Sequence, residues 1–207
     1  MKEYHKIVTV FERDPNNKFK TLLEGKWSEP EFEYLKDNEW IWTEKIDGTN
    51  IRIMWDGEKV VFGGKTDSAQ LYAPLVERLQ TLFYAGAMSK IFDYPACLYG
   101  EGFGAKIQKS GGNYISDGVD FCLFDVMVGD NWLERSSVLD IANRLEIQIA
   151  PVVGVGNLLE AVELTKQGIF SMWGSFISEG LVMRPKLEMK NRRGHRIITK
   201  IKHSDFK

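Results

Sequence analysis

The segment Glu44-Lys45-Ile46-Asp47-Gly48-Thr49-Asn50 puts a lysine at the end of an apolar strand, directly before a tight turn and a second strand. That arrangement presents an amine as a nucleophile. Alone, a Lys-x-Asp-Gly match arises by chance at about a few per cent in a chain this long, and an Asp-Gly corner is an ordinary β-turn. Four further segments carry reactive or charged residues: Tyr99-Gly100-Glu101, Phe121-Cys122-Leu123-Phe124-Asp125-Val126, Glu179-Gly180-Leu181-Val182-Met183-Arg184-Pro185 and Thr199-Lys200-Ile201-Lys202. Lys200 and Lys202 fall two apart on a strand and therefore share a face, where they would neutralise a phosphate and favour loss of a proton from a neighbouring amine. The competing reading of that pair is a polar edge strand. Glu179 is the candidate carboxylate for holding a divalent metal or its waters, against the plainer reading of a surface Glu-Gly turn.

Positioning these residues falls to a strand-rich chain. Runs rich in Val, Ile, Phe, Tyr and Trp at 5–11, 40–43, 51–55, 59–62, 97–100, 121–128, 181–183 and 196–202 read as strands. Helical patterns follow Pro74 (Leu75, Val76, Leu79, Leu82, Phe83) and a capping Ser136 (Val138, Leu139, Ala142, Leu145), and a third runs from Leu158 to Gln167 and stops at Gly168. Strands outnumber helices, and several connections are too short for a helical crossover, so the class is α+β with largely antiparallel sheets flanked by helices. The length of 207 residues predicts a single domain spanning 1–207 with one core. The longest irregular stretches, 105–118 and 186–195, are candidate ligand-side loops.

The five segments, in this order and spacing, resemble the nick-sealing phage RNA ligase 2 family of the covalent nucleotidyltransferase superfamily, from about Trp40 to Phe206. Gly104-Ala105-Lys106-Ile107-Gln108-Lys109 and Ala150-Pro151-Val152-Val153-Gly154-Val155-Gly156 look like the same family and separate RNA ligases from DNA ligases. The resemblance implies a lysine amine, Lys45, that attacks the α-phosphorus of ATP, expels pyrophosphate and keeps AMP on nitrogen. Such an amine must first lose the proton that its reference pKa near ~10.4 would otherwise hold. It also implies Mg²⁺ or Mn²⁺ with Glu179 as metal residue, directly or through water. Lys200, Lys202 and Arg184 would lie beside the phosphates, Glu101 on the ribose hydroxyls and Phe124 stacked on adenine. Glu44 would accept from the adenine amino group, and Ile46, Asn50 and Lys65 complete the nucleotide set. Gln108 and Asp125 join the functional set by analogy. For Phe124 alone, core packing is the default; for Glu44, a solvent-facing strand carboxylate is the rival reading.

Two departures bear on substrate preference. Asp47 stands where the closest nick-sealing ligases often carry histidine, and Lys65 stands where they usually carry arginine, giving up bidentate phosphate geometry. A third is length: the chain ends five residues beyond Lys202, whereas related ligases continue into a C-terminal domain that engages nucleic acid. A natural minimal ligase, an excised catalytic domain and a subunit whose partner chain supplies the missing surface all fit that ending.

Composition narrows the alternatives. With 43% hydrophobic and 27% charged residues and no apolar run long enough to cross a bilayer, the hydropathy argues against a membrane-spanning helix. The start Met1-Lys2-Glu3-Tyr4-His5-Lys6 lacks the features of a secretory signal, which predicts a cytoplasmic protein. Cys97 and Cys122 sit in apolar runs as reduced core thiols and support no metal cluster. The net charge of -2 hides a basic end, 184–207, with nine Lys/Arg against two Asp/Glu. Phosphate contact, from nucleotide or nucleic-acid backbone, and a solvated charged face both account for it. The expected reaction is therefore ATP-dependent sealing of RNA, or of an RNA-containing nicked duplex. A capping-type guanylyltransferase, a small DNA ligase and a non-catalytic nucleotide or nucleic-acid binding module are the rivals.

Overall fold

Chain order in the computed structural model runs through β1 (Val8–Thr9), β2 (Phe11–Arg13), β3 (Leu22–Trp27), α1 (Pro30–Tyr34), β4 (Trp40–Glu44), β5 (Thr49–Trp55) and β6 (Val60–Gly63). It continues with α2 (Ala73–Leu82), α3 (Ala85–Met88), β7 (Ala96–Gly104), α4 (Gly111–Tyr114), β8 (Val119–Val128), β9 (Asn131–Trp132) and α5 (Arg135–Leu145). It closes with β10 (Gln148–Ile149), β11 (Val152–Gly156), α6 (Leu158–Gln167), β12 (Gly180–Pro185) and β13 (Thr199–Lys202). The structure describes residues 3–207; Met1 and Lys2, which open the N-terminal hexapeptide read above, lie outside the described residues.

Two compact units divide the chain. The first comprises the residues up to His5 and Asp47–Ala150, the second Lys6–Ile46 and Pro151–Lys207. In the first, the sheet order is β10-β8-β7-β5-β6, with β9 added on β8. Alternation along β5, β7 and β8 sends Ile51, Ile53, Leu98, Phe121, Leu123 and Val126 to one face, where they pack with Leu75 and Leu79 of α2 and Val138, Ile141 and Ala142 of α5. Leu75 and Leu79 are fully buried, and truncating either to alanine removes contacts worth about 2–5 kcal/mol. The opposite face gathers Met54, Cys97, Tyr99 and Met127 with Tyr4, Phe124 and Trp132 packed on them.

The second unit carries the order β1-β13-β12-β4-β11 and a separate β2-β3 hairpin. Trp40, Trp42, Leu181, Met183 and Ile201 line the face covered by Leu158, Ala161 and Val162 of α6. That helix starts with a reciprocal cap, Asn157 Oδ1 accepting from Glu160 N and Glu160 Oε2 accepting from Asn157 N, and ends at Gly168, matching the limits read from the sequence.

The α+β class holds: the strand pairs are antiparallel apart from β1 with β13 and β10 with β8. Both cysteines are buried and form no disulfide. Four local readings need correction. The strand expected over 5–11 is split at Val10, whose N–H donates to Lys200 O while its carbonyl accepts from Ser28 N, so the chain changes partners there. The last strand begins at Thr199 rather than 196, because Ile197 N donates to Met189 O and the side chain of Arg196 is engaged by Glu188. Ser136 is not a cap; α5 starts two residues earlier than that cap implies, with Glu134 at the cap position and Val138 N already donating to Glu134 O. The strands β3, β10 and β11 carry weak apolar alternation and were not expected.

Candidate active site

Lys45 follows the last residue of β4, Glu179 precedes the first of β12, and Lys202 ends β13. β12 lies between β4 and β13 and is antiparallel to both, so these three chain positions meet at one end of the sheet. Backbone bonds fix the meeting point. Lys45 N donates to Gly180 O at 2.9 Å and His203 N donates to Glu179 O at 3.0 Å. Gly180 is required there, because a Cβ would lie 2.0 Å from Ile201 O and 2.7 Å from Lys202 Cα. The Glu-Gly dipeptide is therefore the device that lets a carboxylate stand against β13.

Side chains complete the cluster. Lys45 Nζ lies 2.5 Å from Glu179 Oε2 and Lys202 Nζ lies 2.5 Å from Glu179 Oε1, so one carboxylate bridges two amines. All three are largely withdrawn from solvent, with side-chain exposures of 20%, 15% and 33% for Lys45, Glu179 and Lys202. Lys200, paired in register with Val182, is on the same face as Lys202, while Thr199 and Ile201 point into the core. β13 has neighbours on both sides, so the edge-strand reading of the lysine pair does not apply. Arg184, two residues beyond Val182 on β12, shares that face and is buried.

Glu44 is placed differently. Alternation sends it with Trp40 and Trp42 toward the core face, and it is 2% exposed. Ser171 Oγ donates to its Oε1 at 2.6 Å and Met172 N donates to its Oε2 at 2.8 Å. Burial pushes its pKa above the usual carboxylate value, and those two bonds partly oppose the shift. A solvent-facing carboxylate is thus excluded. Ser171 and Met172, which complete this arrangement, had no signal in the sequence because they lie in an irregular stretch 127 and 128 residues away. Ile46, next after Lys45, is buried.

The first unit assembles a second group. Asn50 and Glu101 are direct cross-strand partners on β5 and β7. Gly48 lies against β7 so closely that a Cβ would be 2.3 Å from Gly102 O and 2.8 Å from Glu101 Cγ, which explains the glycine after Asp47. Asp47 is held by its own N–H donating to Tyr114 Oη and its carboxylate accepting from Ser110 N, both at 3.3 Å.

On β8 the register slips between Tyr99↔Asp125 and Gly100↔Leu123, leaving Phe124 as the extra residue of a β-bulge. Two consecutive residues, Phe124 and Asp125, consequently reach the same neighbour: the Phe124 ring meets Tyr4 edge-on at 5.1 Å, and Tyr4 Oη donates to Asp125 Oδ2 at 2.5 Å. Tyr4 was not expected at this position. Beneath it, burial raises the pKa of the Tyr99 hydroxyl above its ordinary value, the bond with Cys97 adding to the effect.

Lys65 and Gln108 are exposed on loops of the same unit. Lys106 and Gln108 both adopt left-handed backbone, at φ 66° and 55°, on either side of buried Ile107, an uncommon pair of conformations for side-chain-bearing residues. Asn50 Oδ1 is buried without a hydrogen-bond partner among the described residues, a group whose desolvation remains uncompensated until something donates to it.

The strand order, the bulged central sheet and the flanking helices define a ligase-type nucleotidyltransferase fold. Solved structures of an RNA ligase from Naegleria gruberi share it: a lysine-to-alanine mutant with ATP and Mn superposes with a TM-score of 0.66 at 17% identity, covering 84% of this chain and 52% of that one. The same protein with pyrophosphate gives 0.67 at 17% identity, covering 97% and 57%. An aspartate-to-alanine mutant without ligand gives 0.68 at 16% identity, covering 99% and 58%. This chain therefore spans little more than half the length of those relatives. Residues 38–202 match the RNA ligase family, and the chain belongs to that family. No helix among the described residues is long and apolar enough to cross a membrane.

Proposed function

We propose that residues 1–207 form the nucleotidyltransferase domain of an ATP-dependent RNA ligase and that Lys45 is its nucleophile. The observation that carries this reading is the bridge Lys45–Glu179–Lys202. The Lys45 amine must attack with its lone pair free, and Glu179 Oε2 stands at hydrogen-bond distance to receive or relay its proton. Lys202, Lys200 and Arg184 supply positive charge on the face where negative charge grows on the phosphate oxygens. The Lys45 N–P bond forms as the bond from the α-phosphorus to the bridging oxygen breaks, and pyrophosphate leaves. AMP then passes from Lys45 to the 5′-phosphate of an RNA end. A 3′-hydroxyl attacks that phosphate, forming the phosphodiester and releasing AMP.

A divalent cation suits the residues present. No group of three or more acidic, histidine or cysteine side chains gathers among the described residues, and Mg²⁺ commonly takes one or two carboxylates together with substrate phosphates and waters. Glu179 would hold it, directly or through water, and the ion would offset triphosphate charge.

On the nucleoside side, Glu101 accepts from the ribose hydroxyls, Phe124 stacks on adenine, and Asn50, Lys65, Asp125 and Gln108 support the set. The orphaned Oδ1 of Asn50 favours a ligand donor there. Glu44 serves by holding the 171–172 backbone beside the strand that ends in Lys45. For RNA phosphates, the exposed cations are Lys190, Arg192 and Arg193 on a hairpin closed by the Lys190–Arg196 bridge, and Lys106 and Lys109. Arg196 belongs to the interior of its hairpin, with Nε and Nη2 donating to Glu188 at 2.5 and 3.0 Å, and Lys186 pairs with Glu39.

Intact mass after incubation with ATP and Mg²⁺ tests the first step. The native chain gains one AMP and Lys45→Ala gains none; equal adducts on both would name another nucleophile, and labelling by GTP alone would assign a guanylyltransferase.

A further inference from the structure

Lys65 is carried by a turn that leaves the end of β6, with Gly64 buried and Lys65, Thr66 and Asp67 exposed. Turns of this kind ordinarily sample many conformations. This one is tied from beneath. Arg52, on the neighbouring strand β5 and 0% exposed, donates from Nε to Gly64 O at 2.7 Å and from Nη2 to Asp67 Oδ1 at 2.7 Å. The two acceptors bracket Lys65 and Thr66.

Gly63 is the cross-strand partner of Arg52, and a Cβ there would lie 3.3 Å from Nη2, so the missing side chain leaves the slot the guanidinium fills. The third nitrogen, Nη1, is buried with no hydrogen-bond partner among the described residues. Both side-chain hydrogen bonds of Arg52 thus go to the Lys65 turn. Full burial of a guanidinium is costly, and pairing it with Asp67, whose side chain is 69% exposed, is weak compensation for stability's sake. The arrangement is better explained by what it holds than by what it stabilises.

We infer that Arg52 is a positioning residue for Lys65, fixing the backbone on both sides of it so that the ammonium is delivered to the nucleotide phosphates from a preset direction. This rests on the reading that Lys65 meets the nucleotide. A lysine supplies a point charge on a flexible stem and lacks the fixed fork of an arginine. Clamping its backbone from below restores part of the directionality that the head group does not provide. Arg52 acts only through Lys65.

The test measures single-turnover AMP adduct formation against ATP concentration, in Mg²⁺, for the native chain, Asp67→Ala, Asp67→Asn, Arg52→Lys, Lys65→Ala and Lys65→Ala/Asp67→Ala. Amide hydrogen exchange of residues 64–68 is followed in parallel. Asp67→Ala raises the ATP concentration for half-maximal rate roughly two- to tenfold, the size expected when one long side chain must be ordered on binding, and leaves the saturating rate unchanged. Asp67→Asn, which keeps an acceptor for Nη2, recovers most of the loss, and Arg52→Lys, which reaches one acceptor at a time, resembles Asp67→Ala. In the Lys65→Ala background Asp67→Ala adds nothing to the ATP requirement, and exchange of 64–68 accelerates in both chains that carry Asp67→Ala but not in Asp67→Asn.

An unchanged ATP requirement in Asp67→Ala, or an equal loss with and without Lys65, overturns the inference. A native chain that forms no adduct removes the functional reading instead, and the clamp is then judged by exchange: unchanged protection in Asp67→Ala overturns it.

Discussion

The strand ends of the second unit and the bulged sheet face of the first are built on opposite principles. At Lys45, Glu179 and Lys202 every charge is already answered, since one carboxylate bridges two amines and backbone bonds from Lys45 and to Glu179 set their positions. At Asn50 and Glu101 a buried acceptor is left without a donor, beside a β-bulge that turns Phe124 out of its strand's alternation. One region satisfies its charges internally; the other leaves a buried acceptor unmet. In the proposed enzyme this is the division between making the N–P bond and recognising the nucleoside, and substitutions in the two regions should fail in different ways.

The sharpest test of that contrast is Glu179→Gln, which keeps the volume but removes the charge bridging the two lysines. The single-turnover rate of AMP adduct formation should fall by about 10²–10³, the cost of removing one preorganised electrostatic contact from an active site. Lys202→Met should fall comparably, and the double variant should be little worse than either, because groups that act as a unit lose their effect together. Additive losses would break the cluster into independent parts.

A loss of another kind is expected in the first unit. Glu101→Ala should raise the ATP concentration needed for half-maximal adduct formation by roughly 10- to 100-fold, the scale of a charged hydrogen bond, while the saturating rate holds. Phe124→Leu should show the same split at about two- to tenfold, the increment of an aromatic contact over plain burial. A fall in saturating rate from either would erase the distinction between the regions.

The smallest effect concerns Glu44. Burial places its folded pKa above the ordinary value of 4.5, so the folded state holds the proton more tightly than the unfolded one. Its contribution to stability is complete below 4.5 and is lost as pH rises through the folded value. Glu44→Gln, neutral at every pH, should flatten that part of a Tm-against-pH curve and leave the rest in place. A curve identical to that of the native chain would mean that Glu44 does not titrate in that window.

Legibility from sequence followed the distance over which each feature is encoded. The run from Glu44 to Asn50 was readable because strand, turn and strand are contiguous, and the shared face of Lys200 and Lys202 because strand alternation is a local rule. Helix α6 was readable as the run from Leu158 to Gln167 because its stop at Gly168 is a short-range signal; the reciprocal cap of Asn157 and Glu160 was seen only in the structure. Strands β3 and β11 escaped because glycines interrupt their pattern and partners chosen elsewhere define them.

What the amino-acid order alone determined about this protein is therefore its inventory and its local shapes: a presented lysine, a lysine pair on one face, a Glu-Gly before an apolar strand, and membership of the RNA ligase family, which the match over residues 38–202 shows at that broader level. Tertiary structure alone decided which of these meet. It set Glu179 between Lys45 and Lys202, turned Glu44 inward onto Ser171 and Met172, rotated Phe124 out of alternation through a register slip, and buried Arg52 under the Lys65 turn. The physical reason is that sheet register and burial are chosen by hydrogen bonds and packing between segments far apart in the chain, and no window of neighbouring residues contains that choice.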